Sequence, residues 1–218
     1  MRFKTYREFS QKINVSCETY EKFIIYYDLL CKWQERMNLV SKKSLNDAFC
    51  RHFLDSAQLY KFCSNAKGNI LDFGSGAGFP GLVLAIMGLK KVHLVDSNNK
   101  KCIFLKETLK STDTKAYVHN CRIENLPFVN PSFIMSRALA PTKKLLNLCI
   151  NYMNKENKAF NFVNTNKYLP NLLFLKGKNY KRELMEVSEN MRTRFEIYDS
   201  LSDEEGKVLF YKSEKNFL

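Results

Sequence analysis

The run Ile70-Leu71-Asp72-Phe73-Gly74-Ser75-Gly76-Ala77-Gly78-Phe79-Pro80-Gly81 is where residue type and spacing first point to chemistry in this 218-residue chain. An apolar stretch of strand character runs into glycines at 74, 76 and 78, and Leu82 to Met87 then reads as a helix. Glycines let the backbone turn tightly and approach a ligand closely. Pro80 suits the first turn of the helix that follows. A strand, a glycine turn and a helix in that order bind a nucleotide-like cofactor. The loop is not a P-loop, because no Gly-Lys-Ser/Thr follows it.

Two cofactor classes fit. Gly76 to Gly81 satisfies G-x-G-x-x-G, the dinucleotide fingerprint, and Asp96 follows Gly78 by 18 residues, near the place of a ribose-binding acid. That reading makes the chain an NAD-dependent oxidoreductase. Asp72 argues against it. A carboxylate at the cofactor-facing edge repels a pyrophosphate and suits the ammonium of a methionine moiety. Nothing further along the chain looks like a hydride-transfer substrate domain either. Asp96 does not discriminate, since its carboxylate can accept from the ribose hydroxyls of any adenosine.

These residues need a sheet edge to hold them. Strands are expected at Asn69–Phe73, Val92–Val95 (ending at Asp96), Ala116–Val118, Phe133–Ser136, Leu172–Leu175, Phe195–Tyr198 and Val208–Tyr211. Ala159–Val163 competes for the fifth strand. Helices are expected between them at Lys100–Lys110, Thr142–Tyr152 and Lys181–Arg192. Strands alternating with helices give an α/β, doubly wound, mostly parallel sheet, with ligands at the carboxyl ends of the first strands. Before Gly68 the pattern is helical. Ser16 can cap a helix whose apolar positions are Tyr20, Phe23, Ile24, Tyr27, Leu30, Cys31 and Met37, and a second helical stretch runs from Ala48 to Tyr60. We therefore expect a helical extension over 1–66 and the cofactor domain over 67–218.

Other chemistry is sparse. The seven cysteines form no Cys-x-x-Cys pair, so reduced thiols are expected rather than disulfides or a metal site. His93 and His119 fall on strands, where a structural role is the better reading. The 35 Lys+Arg against 22 Asp+Glu give a formal charge of +13, which favours a polyanionic partner such as nucleic acid. Between 155 and 182 seven basic residues face only Glu156, with Phe160, Phe162, Tyr168, Phe174 and Tyr180 interleaved. Arg51, His52 and Asp55 share one helix face. No apolar run is long enough to cross a bilayer and Met1 to Ser10 lacks a signal-peptide core, so a cytoplasmic protein with no membrane partner is expected.

Several blocks in order resemble the ribosomal small-subunit methyltransferase G family, also called glucose-inhibited division protein B. They are Asn38-Leu39-Val40-Ser41, Arg51-His52-Phe53-Leu54-Asp55-Ser56, Asp72 to Gly81, Asp96-Ser97 with Lys100-Lys101 and Phe104-Leu105, Arg122-Ile123-Glu124, Ser136-Arg137-Ala138 and Leu175-Lys176-Gly177. The resemblance runs from about Trp33 to the C-terminus. It implies a class I methyltransferase fold, Rossmann-like, with a seven-stranded sheet whose last strand is antiparallel. It implies methylation of guanine N7 in 16S rRNA, with S-adenosyl-L-methionine as cofactor and 16S rRNA or the small ribosomal subunit as partner. Gly74, Phe79, Ile123, Glu124 and Arg137 match the family's cofactor-contacting positions, and Asp72, Gly76 and Asp96 join that site by the general class I pattern. Guanine N7 carries no proton at neutral pH, so no general base is needed and no catalytic residue is assigned. Arg51, His52, Lys100, Lys101 and Lys176 are expected on RNA. No metal is expected, and the chain is expected to act as a monomer. The chain departs from the family in a longer stretch before Leu175, a basic insertion around 155–171. A non-catalytic RNA-binding protein with a degenerate pocket is the remaining alternative.

Overall fold

The computed structural model describes residues 5–155 and 169–213. Seven strands form one sheet: β1 (Asn69–Phe73), β2 (Val92–Asp96), β3 (Tyr117–Asn120), β4 (Pro131–Arg137), β5 (Asn171–Lys176), β6 (Phe195–Asp199) and β7 (Lys207–Tyr211). Their order is β3-β2-β1-β4-β5-β7-β6. The strands from β3 to β5 pair in parallel, and β7 is antiparallel to both β5 and β6. The chain steps outward from β1 to β3 and then returns to β1's other side as β4. That reversal leaves a crevice at the carboxyl ends of β1 and β4, where open α/β sheets bind ligands.

Alternation along β1 explains a core on both faces. Ile70 points to one face, which is covered by the N-terminal helices, α6 (Gly81–Ile86) and α7 (Asn99–Ser111). Leu71 and Phe73 point to the other, against Leu145, Cys149 and Tyr152 of α8 (Thr142–Met153). The first face begins with α1 (Tyr6–Ser10) and α2 (Cys17–Gln34). Ser16 caps α2 by accepting the Thr19 N–H at 3.1 Å. Tyr20, Phe23, Tyr26 and Leu30 make its buried stripe, and each such side chain stabilises the fold by roughly 1.5–3 kcal/mol. Ile24, expected on that stripe, is instead partly exposed, because the stripe runs through Tyr26.

After α3 (Lys42–Leu45) the expected second helix is replaced by a π turn, Phe49–Leu54, that runs into α4 (Asp55–Ala57) and then α5 (Tyr60–Cys63). The Asp55 N–H reaches back to the Cys50 carbonyl. Such turns recur at functional sites. The helix expected over Lys181–Arg192 divides into α9 (Tyr180–Met185) and α10 (Glu189–Arg192), because Ser188 takes an extended conformation between them. Leu172–Leu175 lies within β5, and Phe174 is fully buried. The competing strand Ala159–Val163, together with Phe160, Phe162 and Tyr168, lies outside the described residues. Among the described residues no helix is long and apolar enough to cross a membrane.

Candidate functional site

The glycine loop is held almost wholly by backbone groups. The N–H groups of Gly74 and Ser75 donate to the Val95 carbonyl at 2.9 and 3.0 Å. Ser75 Oγ donates to the Asp72 carbonyl and accepts from the Val95 N–H, both at 3.0 Å. Asp96, at the end of β2, accepts the Gly76 N–H on Oδ2 (2.9 Å) and the Asn98 N–H on Oδ1 (2.8 Å). Each oxygen keeps a second lone pair, and the residue is half-buried at the loop's lip. Gly76 has φ +57, and a Cβ built on it meets nothing closer than the Gly74 carbonyl at 3.8 Å. The loop is thus open above Gly76 and can receive a ligand there. Gly81 is glycine for another reason. A Cβ there would stand 2.6 Å from Leu94 and 2.7 Å from Asp72, so it permits α6 to close on the sheet.

Asp72 does not face the ligand side as its position in the sequence suggests. It is fully buried beneath the loop, on the Ile70 face of β1. Its Oδ2 accepts the Gly81 N–H at 3.0 Å, capping α6, while Oδ1 has no partner. Burial pushes its carboxyl up to about 7, against the opposing pull of the Gly81 hydrogen bond and Arg137. Only above that value does the group hold a full negative charge beneath the loop.

An aromatic wall closes the loop from the α2 side. Tyr26 donates its hydroxyl to the Ala77 carbonyl and stacks on Phe79 at 5.3 Å and 14°. His52 lies on Phe79 too, at 4.8 Å and 23°. The Arg137 guanidinium is 4.8 Å from the same ring centre.

Beside the loop, over the carboxyl ends of β4 and β5, lies a cleft of about 550 Å³. Three ion pairs line it: Arg51 with Asp203 at 2.8 Å, Arg137 with Asp55 at 3.3 Å, and Lys176 with Glu183 at 2.8 Å. Arg137 is the hub. It also donates to the Arg51 carbonyl at 3.0 Å and to His52 Nδ1 at 2.9 Å. Arginine can only donate, so Nδ1 must accept and the proton sits on Nε2, facing Ser44 Oγ at 3.0 Å. Burial first, then the charges of Arg137 and Arg51, lower His52 to about 3, so it stays neutral. Ala138 follows at φ +54, a left-handed conformation that is strained for alanine. The turn it makes lays the partly exposed Leu139 across Gly74, where a Cβ would meet its Cδ1 at 2.7 Å. Leu139 is therefore the partition between loop and cleft.

A family profile described as GidB, rRNA small subunit methyltransferase G, matches residues 19–201. The chain belongs to this family. It is 39% identical over 93% of its length to the Ribosomal RNA small subunit methyltransferase G of Paramagnetospirillum magneticum, covering 92% of that protein. It is 38% identical to the one of Rhodospirillum rubrum, over 92% of this chain and 94% of the relative. Two solved structures share the fold at 14% identity. A tRNA methyltransferase from Aquifex aeolicus superposes with TM-score 0.54 over 75% of this chain and 69% of its own. An rRNA methylase from Streptococcus thermophilus does so with TM-score 0.52 over 74% and 97%. The class I methyltransferase fold is thereby shown for this family member.

Gly74, Gly76, Phe79, Asp72 and Asp96 come together at the loop. Ile123 and Glu124 form a 3₁₀ turn after β3 and line a separate hollow of about 290 Å³ with the end of α8. There Lys155, the first residue of the basic segment, donates to the carbonyls of Ile123 and Leu126 at 3.3 and 2.8 Å, and is thus engaged by the fold. Arg137 meets a protein carboxylate, Asp55, of the partners its fork can hold. Two residues expected on RNA are corrected. His52 is 7% exposed with both ring nitrogens engaged. Lys176 has a side chain only 6% exposed, held by Glu183 and the Ala140 carbonyl at 2.7 Å. Arg51 is half-exposed but paired, and Lys100 and Lys101 stand in the first turn of α7, Lys100 exposed and Lys101 half-buried. His93 and His119 bond each other at 2.9 Å on β2 and β3, away from the loop. The sequence reading missed Tyr26, Ser44, Leu139, Glu183 and Asp203. Only Leu139 carried a signal, its place directly after Arg137-Ala138.

Proposed function

We propose that this protein transfers the methyl group of S-adenosylmethionine to N7 of a guanine in 16S rRNA, in the cytoplasm. One observation carries the reading: a cradle open above Gly76, with Asp96 at its lip, adjoins across Leu139 a cleft large enough for a nucleobase. The residues fit the cofactor. Gly74, Gly76 and Phe79 form the cradle, Asp96 suits the ribose hydroxyls, and the family resemblance assigns Ile123 and Glu124, in the hollow after β3, to the same cofactor. Asp72 acts from beneath by fixing α6 and lending negative potential. When bound, S-adenosylmethionine supplies an electrophilic methyl on a positively charged sulfur.

The chain's own work is then orientation and charge. N7 offers a lone pair without losing a proton, so the neutral, fully engaged His52 has no base role to fill. The guanine becomes cationic as it is methylated, and the three ion pairs leave the cleft wall without a net positive charge to oppose it. Leu139, which lies across Gly74 between cradle and cleft, must turn aside for the methyl to meet the base. Arg137, fixed on Phe79, His52 and Asp55, sets the cleft wall against the cradle, and in-line contact at roughly 3–3.5 Å requires such rigidity. Membership of an rRNA methyltransferase family leaves the hydride-transfer reading without support.

The test is to incubate the protein with labelled S-adenosylmethionine and unmodified small-subunit RNA, free and assembled, then digest to nucleosides. Label in 7-methylguanosine is the expected result. Label in another nucleoside keeps the methyltransferase and rejects N7. No label with either substrate, from protein that binds the cofactor, rejects the activity.

A further inference from the structure

A second hollow, of about 280 Å³, lies between the end of α2 and the start of α7, lined by Lys32, Trp33, Arg36, Met37 and Lys100. Its composition differs from the cleft's. Every cation lining the cleft is paired with an acid, whereas Lys32, Arg36 and Lys100 make no ion pair among the described residues and are all exposed. The floor is apolar and stiff. Trp33 is half-buried, its ring 5.8 Å from Phe104 at 64°, and its Nε1 donates to Glu107 at 3.0 Å. The Met37 N–H returns to the Trp33 carbonyl at 2.9 Å, holding the floor's second residue against the first. Lys32 and Arg36 stand one helical turn apart, where like charges repel. Lys100 from another helix joins them, and no acid lines the hollow; Glu107 lies at the floor on Trp33 Nε1, so three cations against one carboxylate leave a local positive field on a chain already at +13.

We propose that this groove binds a nucleotide of the RNA strand flanking the target guanine. Its phosphate meets Lys32, Arg36 and Lys100, and its sugar and base cover Trp33 and Met37. The chemistry is that of single-strand recognition: cations on the backbone and an aromatic face on the base. Placement supports it. Lys100 belongs to the helix that begins directly after Asp96, so the groove adjoins the cofactor cradle on the side away from the cleft. A strand whose guanine enters the cleft passes over the cradle's rim to reach it. The proposal rests on the RNA substrate proposed above.

Trp33 is the only tryptophan of the chain, so its fluorescence reports on this groove alone. The full-length protein is titrated with unmodified small-subunit RNA while Trp33 emission is followed. Methyl transfer is then measured for the wild type and for the combined Lys32→Gln, Arg36→Gln and Lys100→Gln variant at several salt concentrations. Expected are a saturable change in emission and, in the variant, about a tenfold rise in KM for RNA. Its kcat and its affinity for S-adenosylmethionine should be unchanged, and the slope of log affinity against log salt should be shallower by about two. Equal KM and salt slope in variant and wild type, or methylation without any response of Trp33, would overturn the groove and leave the activity standing. A Trp33 response to RNA without methyl transfer would support the groove and remove the activity.

Discussion

The cradle and the cleft adjoin at the carboxyl edge of one sheet, yet they are held in different ways. The glycine loop hangs largely on backbone groups, Val95 carbonyl and N–H, Gly76 N–H, Gly81 N–H and Ala77 carbonyl, met by the side chains of Tyr26, Asp72, Ser75 and Asp96. The cleft hangs on side chains drawn from four separate stretches, joined by three ion pairs and the hub at Arg137. A backbone-built cradle offers one shape to one cofactor and tolerates little change in backbone conformation. A cleft built from ion pairs can be reshaped by single substitutions and responds to protonation. The division suits an enzyme with a fixed cofactor and a large, shaped substrate.

The largest expected effect is at Gly76. Gly76→Ala places a methyl in the open cradle and strains a left-handed backbone position by about 1 kcal/mol. Calorimetry should show cofactor affinity reduced about a hundredfold, with a melting temperature only a few degrees lower. Normal cofactor binding would break the assignment of the cradle. Arg137→Ala comes next, on the cleft side. It leaves Asp55 Oδ2 and His52 Nδ1 without the Arg137 donor in a largely buried setting, while Asp55 Oδ1 keeps Ser202 and Gln58, a loss of about 2 kcal/mol in urea titrations. Methyl transfer should fall at least tenfold while cofactor affinity changes less than threefold. A loss of cofactor binding as large as that of Gly76→Ala would merge the two regions into one.

Proton linkage separates them further, with opposite signs. Asp72 has its folded carboxyl raised to about 7, so the folded state holds more protons than the unfolded one between about pH 4 and 7. Its contribution to stability therefore declines as pH rises through that window. Asp72→Asn can still accept the Gly81 N–H, and should be more stable than wild type at pH 8 by at least about 1 kcal/mol, with little difference at pH 4. His52 runs the other way. Its folded value near 3 lies below the usual 6.5, so stability is lost as pH falls from about 6.5 toward 3. His52→Gln should flatten that acid limb by about 1 kcal/mol at pH 5, the smallest of these effects. Denaturation series at pH 4, 5, 7 and 8 check both. Both shifts come first from burial, which disfavours the charged form of an acid and of a base alike, so a shared sign would contradict the burial of one of the two.

The same contrast explains what was legible in the sequence. The loop's bonds to β1 and β2 span 3 residues from Ser75 to Asp72 and 20 from Gly76 to Asp96, all within one strand–loop–helix–strand unit, so type and spacing carried them. The strands followed from apolar runs, and every strand read from the sequence overlaps one in the sheet. Asp72 was read on the right strand but at the cofactor-facing edge, and it lies instead beneath the loop, because successive strand residues alternate faces and Asp72 shares that of Ile70. The cleft was not legible. Asp203 meets Arg51 across 152 positions and His52 meets Arg137 across 85, and no local pattern announces either pair. The π turn at Phe49–Leu54 has no propensity signature, and it turns His52 inward onto Phe79. Lys176, at the end of an apolar strand, looked exposed until Glu183 of the following helix covered it.

The most direct test of the two-region account is a crystal structure with S-adenosylhomocysteine and guanosine 5′-monophosphate. Expected are the adenosine over Gly76 to Gly78, its ribose on Asp96, Leu139 displaced from Gly74, and the guanine in the cleft with N7 turned toward the sulfur. Adenosine in the cleft between Arg51 and Lys176, or guanine excluded from it, would contradict the account.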